Sequence, residues 1–179
     1  MKIKIDNKKG ILFWITGLSG SGKTTLGRNL KNYISKNYGP TIIISGDNLR
    51  KIFHLNKFDK KNRLIIGKKY IRLCKYLTDQ GINVIFSVVG LFHELRDYNK
   101  KNINNYVEIY IECEISKLKK ISKKKHYKMK SKNIWGIDLK PELPKNPHIK
   151  VKNDFKKNIN LIKIEIIKKL DLILPKQKK

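Results

Sequence analysis

The sequence predicts an α/β protein: a five-stranded, mostly parallel sheet with helices on both faces and a mobile lid. Three observations carry that expectation. Short, nearly continuous apolar runs alternate with longer stretches of helical period, the pattern of strands buried on both faces. Glycine and proline punctuate the joints, with Gly39-Pro40 before one apolar run and Gly81 before another. The first apolar run leads into a glycine-rich segment and then a helical stretch, the strand–loop–helix order on which such a sheet is wound.

In chain order, residues 11–16 form the first expected strand, with Trp14 in the core, and a helix fills about 23–37. Thr41-Ile42-Ile43-Ile44-Ser45 is the second strand, followed by a long helix over about 60–80. The third and fourth strands fall at 83–88 and 106–112, with a helix at 92–103 between them and another at 114–121. A short fifth strand is expected at 148–151. A closing amphipathic helix at 156–170 then presents Leu161, Ile162, Glu165, Ile166, Lys169 and Leu170. Residues 122–147 break the pattern: they are basic, contain Pro141, Pro144 and Pro147, and have no clean period. A mobile lid and a plain surface loop both fit that composition. Residues 175–179 read as a frayed tail. A chain of 179 residues is read as one domain, 1–179, large enough for a real core.

Composition narrows the function classes. No apolar stretch approaches the ~18 residues that span a membrane. The start, Met1-Lys2-Ile3-Lys4, has no apolar signal-peptide core, so a cytoplasmic location is expected. Cys74 and Cys113 lie in apolar, periodic segments without metal or redox spacing and read as buried thiols of a reducing compartment. The formal net charge is +28, which resembles a nucleic-acid binder. It comes, however, from 37 Lys and only 5 Arg, spread along a chain also rich in Ile and Asn, as A/T-rich codon usage produces. Nucleic-acid surfaces favour Arg and stacking aromatics, so no specific nucleic-acid partner is expected. His54, His126 and His148 read as solvated or packing residues.

The chemistry concentrates in Gly17-Leu18-Ser19-Gly20-Ser21-Gly22-Lys23-Thr24, a full G-x-x-x-x-G-K-[ST] phosphate loop. Its glycines let successive N–H groups close on a polyphosphate, and the following helix adds its positive end. Lys23 is expected at the β- and γ-phosphates and Thr24 on Mg²⁺, with Thr25 completing the ATP site. The second strand ends in Ser45-Gly46-Asp47-Asn48-Leu49-Arg50, where a carboxylate faces the phosphate loop across the crevice. Asp47 reads either as a base or Mg²⁺-water ligand, or as the cap of a helix starting at Asn48. Arg50, one turn on, suits an anionic group of the acceptor.

Taken together, Gly17–Thr25 and Gly46-Asp47-Asn48-Leu49-Arg50 resemble the adenylylsulfate (APS) kinases, whose second strand ends D-G-D-N-x-R. Asn62 and Gly67 match the spacing of that family's N-x-x-x-x-G helix, and Arg96-Asp97 match its R-D. Lys124 and Tyr127 match K-G-L-Y, and Gly136-Ile137-Asp138 with Pro144, Asn146 and Pro147 match G-I-D…P-x-N-P. The resemblance covers about residues 10–152. It implies the P-loop kinase fold and transfer of phosphate from MgATP to a ribose 3′-hydroxyl. By it, Lys23 and Asp47 are catalytic. Arg50, Asn62, Arg63, Lys124, Ile134, Ile137 and the Val89-Gly90-Leu91-Phe92-His93 run hold the acceptor, together with Asp47.

This chain departs from the family pattern mainly on the acceptor side. The first acid of D-G-D-N is Ser45, and the stretch before Asn62 is shortened to Lys57-Phe58-Asp59-Lys60-Lys61 without its arginine. The arginine of I-S-P-[YF]-R is His93, and the adenine-stacking aromatic is Ile134, next to Trp135. A capsule-associated branch of the family carries S-M-F-x-E-V-R-x-W-N after the third strand, and residues 90–99 are similar to it. The acceptor in that branch is cytidine diphosphoramidate, which is slightly favoured here over APS. The partners expected are ATP and a small nucleotide, with a homodimer left open. A non-catalytic nucleotide-binding module is the competing class, motivated by Ser45 and the altered acceptor run. Intact Lys23, Thr24 and Asp47 argue against it.

Overall fold

The central strand is the first apolar run: β1 (Leu12–Gly17) is buried at every position. It pairs in parallel with β3 (Asn83–Ser87) on one side and β4 (Tyr106–Glu112) on the other, with Leu12 opposite both Val84 and Tyr106. β2 (Thr41–Ser45) adds to β3 and β5 (Ile149–Lys152) to β4, giving the order β2-β3-β1-β4-β5. All four pairings are parallel, so each connection must cross over a face of the sheet. The crossing elements are α1 (Lys23–Tyr38), α2 (Gly46–Ile52), α3 (Lys60–Asp79), α4 (His93–Asn102) and α5 (Ile115–Ile121), with α6 (Ile159–Ile173) closing the chain. This computed structural model describes residues 2–121, 133–156 and 158–175.

The strands fall within a residue of expectation because their apolar runs are continuous, and the mostly parallel sheet proves parallel throughout the described residues. α2 is the one helix that the periodic reading did not delimit. It is too short, at 7 residues, to show a period, and Ser45 starts it by accepting the Asn48 N–H at 3.1 Å. α6 begins later than expected because Asn158 caps it. Its inward stripe is Ile162, Ile166 and Leu170, whereas Leu161 is exposed. Residues 133–147, read as part of a lid or loop, are docked, with Ile134, Trp135 and Pro144 buried. Residues 122–132 of that segment and 176–179 of the tail lie outside the described residues.

Packing around the sheet fixes where its carboxyl edge opens. Trp14 is fully buried and stacks on Phe86 with ring centroids 5.1 Å apart. Gly90 lets the chain turn over that indole: its φ is +42°, and a Cβ there would lie 2.9 Å from Trp14 Cζ2. At the opposite edge the Asn83 side chain ties the start of β1 to the end of α1. It accepts from Ile11 N–H at 2.8 Å and donates to the Tyr38 carbonyl at 2.7 Å. α3 lies tight on α4, since a Cβ on Gly67 would stand 2.5 Å from Leu95 Cδ1 and Leu95 is buried.

That close approach gives a direct test. Gly67→Val forces two extra methyls and a Cβ into the α3–α4 seam, and overpacking of this kind costs about 2 kcal/mol or more. Urea denaturation should show that loss; an unchanged midpoint would mean that the seam is loosely packed.

Candidate nucleotide and acceptor site

The phosphate loop hangs from the carboxyl end of β1 because only glycine fits there. Gly17 has φ +150°, and a Cβ on it would meet the Ile111 carbonyl oxygen at 2.5 Å. Gly20 and Gly22 are also left-handed, at +81° and +93°. Gly22 is the N-cap of this 16-residue helix, α1, and supplies no side-chain cap. Such an end presents donors and a positive dipole to an anion. Lys23 is buried, and its ammonium donates to the Leu18 carbonyl at 2.6 Å.

A small set of polar side chains holds the loop from behind. Asn153, just after β5, donates through Nδ2 to the Ser21 carbonyl at 3.1 Å. The Cys113 thiol donates to the Asn153 carbonyl at 3.1 Å, and burial pushes that thiol up to about 11. It therefore stays protonated at neutral pH and serves as a packing donor. Ser87 Oγ donates to the Lys23 carbonyl at 3.3 Å, and Thr16 Oγ1 to the Val89 carbonyl at 2.6 Å. These bonds join the ends of β3, β4 and β5 to the loop, and the end of β1 to Val89. Asn153 and Thr16 escaped the sequence reading, because their partners are 132 and 73 residues away.

The cleft so formed, of about 200 Å³, is lined by Ser19, Gly20, Gly22, Lys23, Thr24, Thr25, Asp47, Ser87, Val88 and Val89. Leu18 and Ser21 turn inward and are buried. Asp47 therefore shares one cleft with the phosphate loop, as expected. The alternative that Asp47 caps the following helix is overturned: Ser45 makes that bond, and Asp47 sits in the first turn. The residue that departs from the family acid is thus a good cap in its own right.

Beyond Asp47 lies a second, cationic and aromatic patch. Arg50 donates to the Leu55 and Lys57 carbonyls at 3.0 and 3.1 Å, and its guanidinium lies 4.6 Å above the Phe58 ring. Arg63 donates to the Phe58 carbonyl and to the Asn133 carbonyl, the latter at 2.7 Å. Its guanidinium is 5.5 Å from the Phe58 ring centre and 5.9 Å from that of Trp135. Burial, and then the like charge of Arg50, lower its affinity for a proton. Trp135 is buried and meets Phe92 edge-to-face at 4.9 Å. Phe58 and Trp135 were not among the expected site residues. Their only signal was an aromatic beside the arginine-bearing stretch and another next to Ile134.

Several expected acceptor residues have structural duties. The Asn62 side chain donates to Asp59, the N-cap of α3, at 2.7 Å. Leu91 is fully buried in the core, Phe92 is buried against Trp135, and Gly90 backs onto Trp14, so of the 89–92 run only Val89 reaches the cleft. His93 opens α4, and its Nδ1 is engaged by Arg96. Ile134 is buried and Ile137 exposed. Asp138 gathers the N–H groups of Asn133 and Ile134, so the G-I-D element folds its own turn. Lys124, Tyr127 and His126 lie outside the described residues.

Comparison with known proteins settles the family. The sequence profile described as adenylylsulphate kinase matches residues 9–152, well over half the chain. The chain belongs to the adenylylsulphate kinase family. It is accordingly a P-loop kinase, a phosphotransferase to an alcohol group. It is 37% identical over 168 residues to the cytidine diphosphoramidate kinase of Campylobacter jejuni, covering 90% of this chain and 96% of that one. It is 32% identical over 157 residues to the adenylyl-sulfate kinase of Clostridium kluyveri, covering 84% and 79%. Among solved structures, the APS kinase of Mycobacterium tuberculosis in complex with AMPPNP and APS superposes with TM-score 0.81 at 22% identity, covering 91% of this chain and 98% of that one. That likeness establishes the P-loop kinase fold. No helix among the described residues is long and apolar enough to cross a membrane.

The support behind the loop is open to test. Asn153→Ala leaves the Ser21 carbonyl without its side-chain donor, a loss worth about 1 kcal/mol. ATP should bind roughly fivefold to tenfold more weakly in calorimetry. Unchanged affinity would show that the loop keeps its shape unaided.

Proposed function

We propose that this kinase transfers the γ-phosphoryl group of MgATP to the ribose 3′-hydroxyl of cytidine diphosphoramidate. In this reading Gly17–Thr25 bind ATP and Lys23 neutralises charge on the transferring group. Thr24 and Asp47 line one cleft with a hydroxyl and a carboxylate, hard oxygen donors that suit Mg²⁺. When bound with ATP, that ion offsets charge on the β- and γ-phosphates. Asp47 orients the acceptor hydroxyl or takes its proton. Arg50, Arg63, Phe58 and Trp135 receive the acceptor nucleotide, with the guanidinium groups toward its anionic part. The setting assigned is the cytosol, which suits the two free, buried thiols Cys74 and Cys113.

One observation carries the choice of acceptor. Where the APS kinase pattern has an arginine, His93 stands here, with its Nδ1 taken up by Arg96. The missing arginine before Asn62 and the burial of Ile134 point the same way. A charge-assisted bond to a 5′ sulfate is worth about 1.5–3 kcal/mol, so a site lacking such donors favours a less acidic 5′ group. The C. jejuni relative bears the name of a kinase for such an acceptor.

Two measurements test this reading. With cytidine diphosphoramidate and APS assayed on the same enzyme, kcat/KM should be at least roughly tenfold higher for the first, a difference of about 1.4 kcal/mol. A tenfold preference for APS would leave the family assignment and overturn the acceptor. Tight ATP binding with turnover of neither nucleotide would favour the non-catalytic module. Separately, Asp47→Asn should lower kcat on the order of 10²-fold or more. Its stability should stay within about 0.5 kcal/mol, because Ser45 still caps α2. A normal rate would remove Asp47 from the chemistry.

A further inference from the structure

Away from the cleft, a carboxylate is buried in the middle of the sheet. Glu108, in β4, is 1% exposed and faces α4, where Arg96 is 4% exposed. Arg96 Nε lies 3.8 Å from Glu108 Oε1, a loose ion pair with both side chains out of water. Around it Arg96 Nη1 and Glu108 Oε1 are buried with no hydrogen-bond partner among the described residues, and the side chains of Asn99 and Tyr106 are buried beside them. Arg96 is therefore the main compensation for a Glu108 charge, and a buried charge without its partner is strongly unfavourable.

The other end of the same guanidinium leaves the core at the acceptor face. Arg96 Nη2 contacts His93 Nδ1 and donates to the carbonyls of Glu142 and Leu143 at 2.6 and 3.4 Å. Glu142 closes the joint from its side. Its carboxylate accepts the His93 N–H at 2.7 Å and pairs with Lys60 at 3.3 Å, while its own N–H donates to the Leu91 carbonyl at 3.1 Å. One side chain thus connects the middle of β4, the first residue of α4, and residues 142–143.

We propose that Glu108 is a positioning residue for the acceptor: through Arg96 it holds residues 89–93 against residues 142–143. This rests on the acceptor site lying at that face. Glu108 touches neither nucleotide; it acts by fixing Arg96. Burial pushes its carboxyl up to about 7, with Arg96 and Lys100 drawing it down and Asp97 pushing it further up. The other groups facing this assembly are Tyr106 on β4, His148, whose Nδ1 accepts the Glu108 N–H, and Glu142 and His93 at the joint. Above about pH 7 Glu108 is ionised and balances Arg96. As the pH falls through that value the carboxyl becomes neutral and the strut loses its inner anchor. Acceptor binding accordingly weakens from pH 8 to pH 6, and ATP binding does not.

Glu108→Gln is the neutral isostere and mimics the low-pH form. With whichever of cytidine diphosphoramidate and APS the native enzyme phosphorylates, the variant should show a raised acceptor KM, roughly tenfold if acceptor binding shifts the Glu108 pKa by one unit. The ATP KM should be unmoved, and the variant's acceptor KM should be flat between pH 6 and 8, where the native value changes. A purely structural role would instead lower Tm and raise both KM values together. Hydrogen exchange on the enzyme alone reads the same strut without any acceptor. Amides of residues 89–93 and 142–143 should exchange faster in the variant at pH 8, with residues 17–22 unchanged. If the native protein phosphorylates neither nucleotide, the acceptor reading fails and this exchange pattern alone decides. Native exchange in the joint, or a native acceptor KM and pH profile in the variant, would overturn the proposal.

Discussion

The whole site depends on one backbone constraint: β1 ends where there is no room for a side chain. Gly17 passes so close to the Ile111 carbonyl that a Cβ would overlap it, and the chain must then turn through left-handed Gly20 and Gly22 before α1 can start. The result is a helix whose first turn has no side-chain cap, set at the carboxyl edge of a fully buried strand. The first-turn N–H groups, which no helix can satisfy internally, are thereby turned toward the place of a phosphate. Asn153, Cys113 and Ser87 hold that loop from β5, β4 and β3, so the phosphate site inherits the rigidity of four strands.

The side proposed for the acceptor is built differently. Its shape comes from side chains and short turns rather than from the sheet. Asp59 caps α3, Asp138 folds residues 133–138 on themselves, and Glu142 bridges α3 and α4. Arg50 and Arg63 spend several of their donors on backbone carbonyls, which fixes two guanidinium planes beside Phe58. Fixed cations of this kind lose little freedom when an anion arrives. A face assembled from many small local contacts can change its acceptor while the phosphate loop stays as it is.

Buried polar groups mark the places where the two halves are joined. Asn83 staples the amino edge of the sheet with every polar atom used. The Arg96–Glu108 pair is less completely satisfied, and burial pushes its carboxyl up to about 7. A fully satisfied polar group stiffens a fold, whereas a partly satisfied pair is free to respond to pH.

The sequence by itself determined the sheet and the phosphate loop. Runs such as Thr41–Ser45 and Tyr106–Glu112 declare strands through local composition, and Gly17–Thr24 specifies its conformation within eight consecutive residues. Period and turn chemistry act over a few positions, so they can be read without knowing the neighbours. Only the tertiary structure decided what each side chain of the acceptor run does. Leu91 and Phe92 look available in the sequence and are buried in the core, Phe92 edge-on to Trp135. Asp47 was open to two readings, base or helix cap, until Ser45 proved to cap α2. Trp135, Arg96 and Glu108 entered the account because packing brings Arg63 to Trp135 and Arg96 to Glu108, 72 and 12 positions apart, and no local pattern encodes such a meeting.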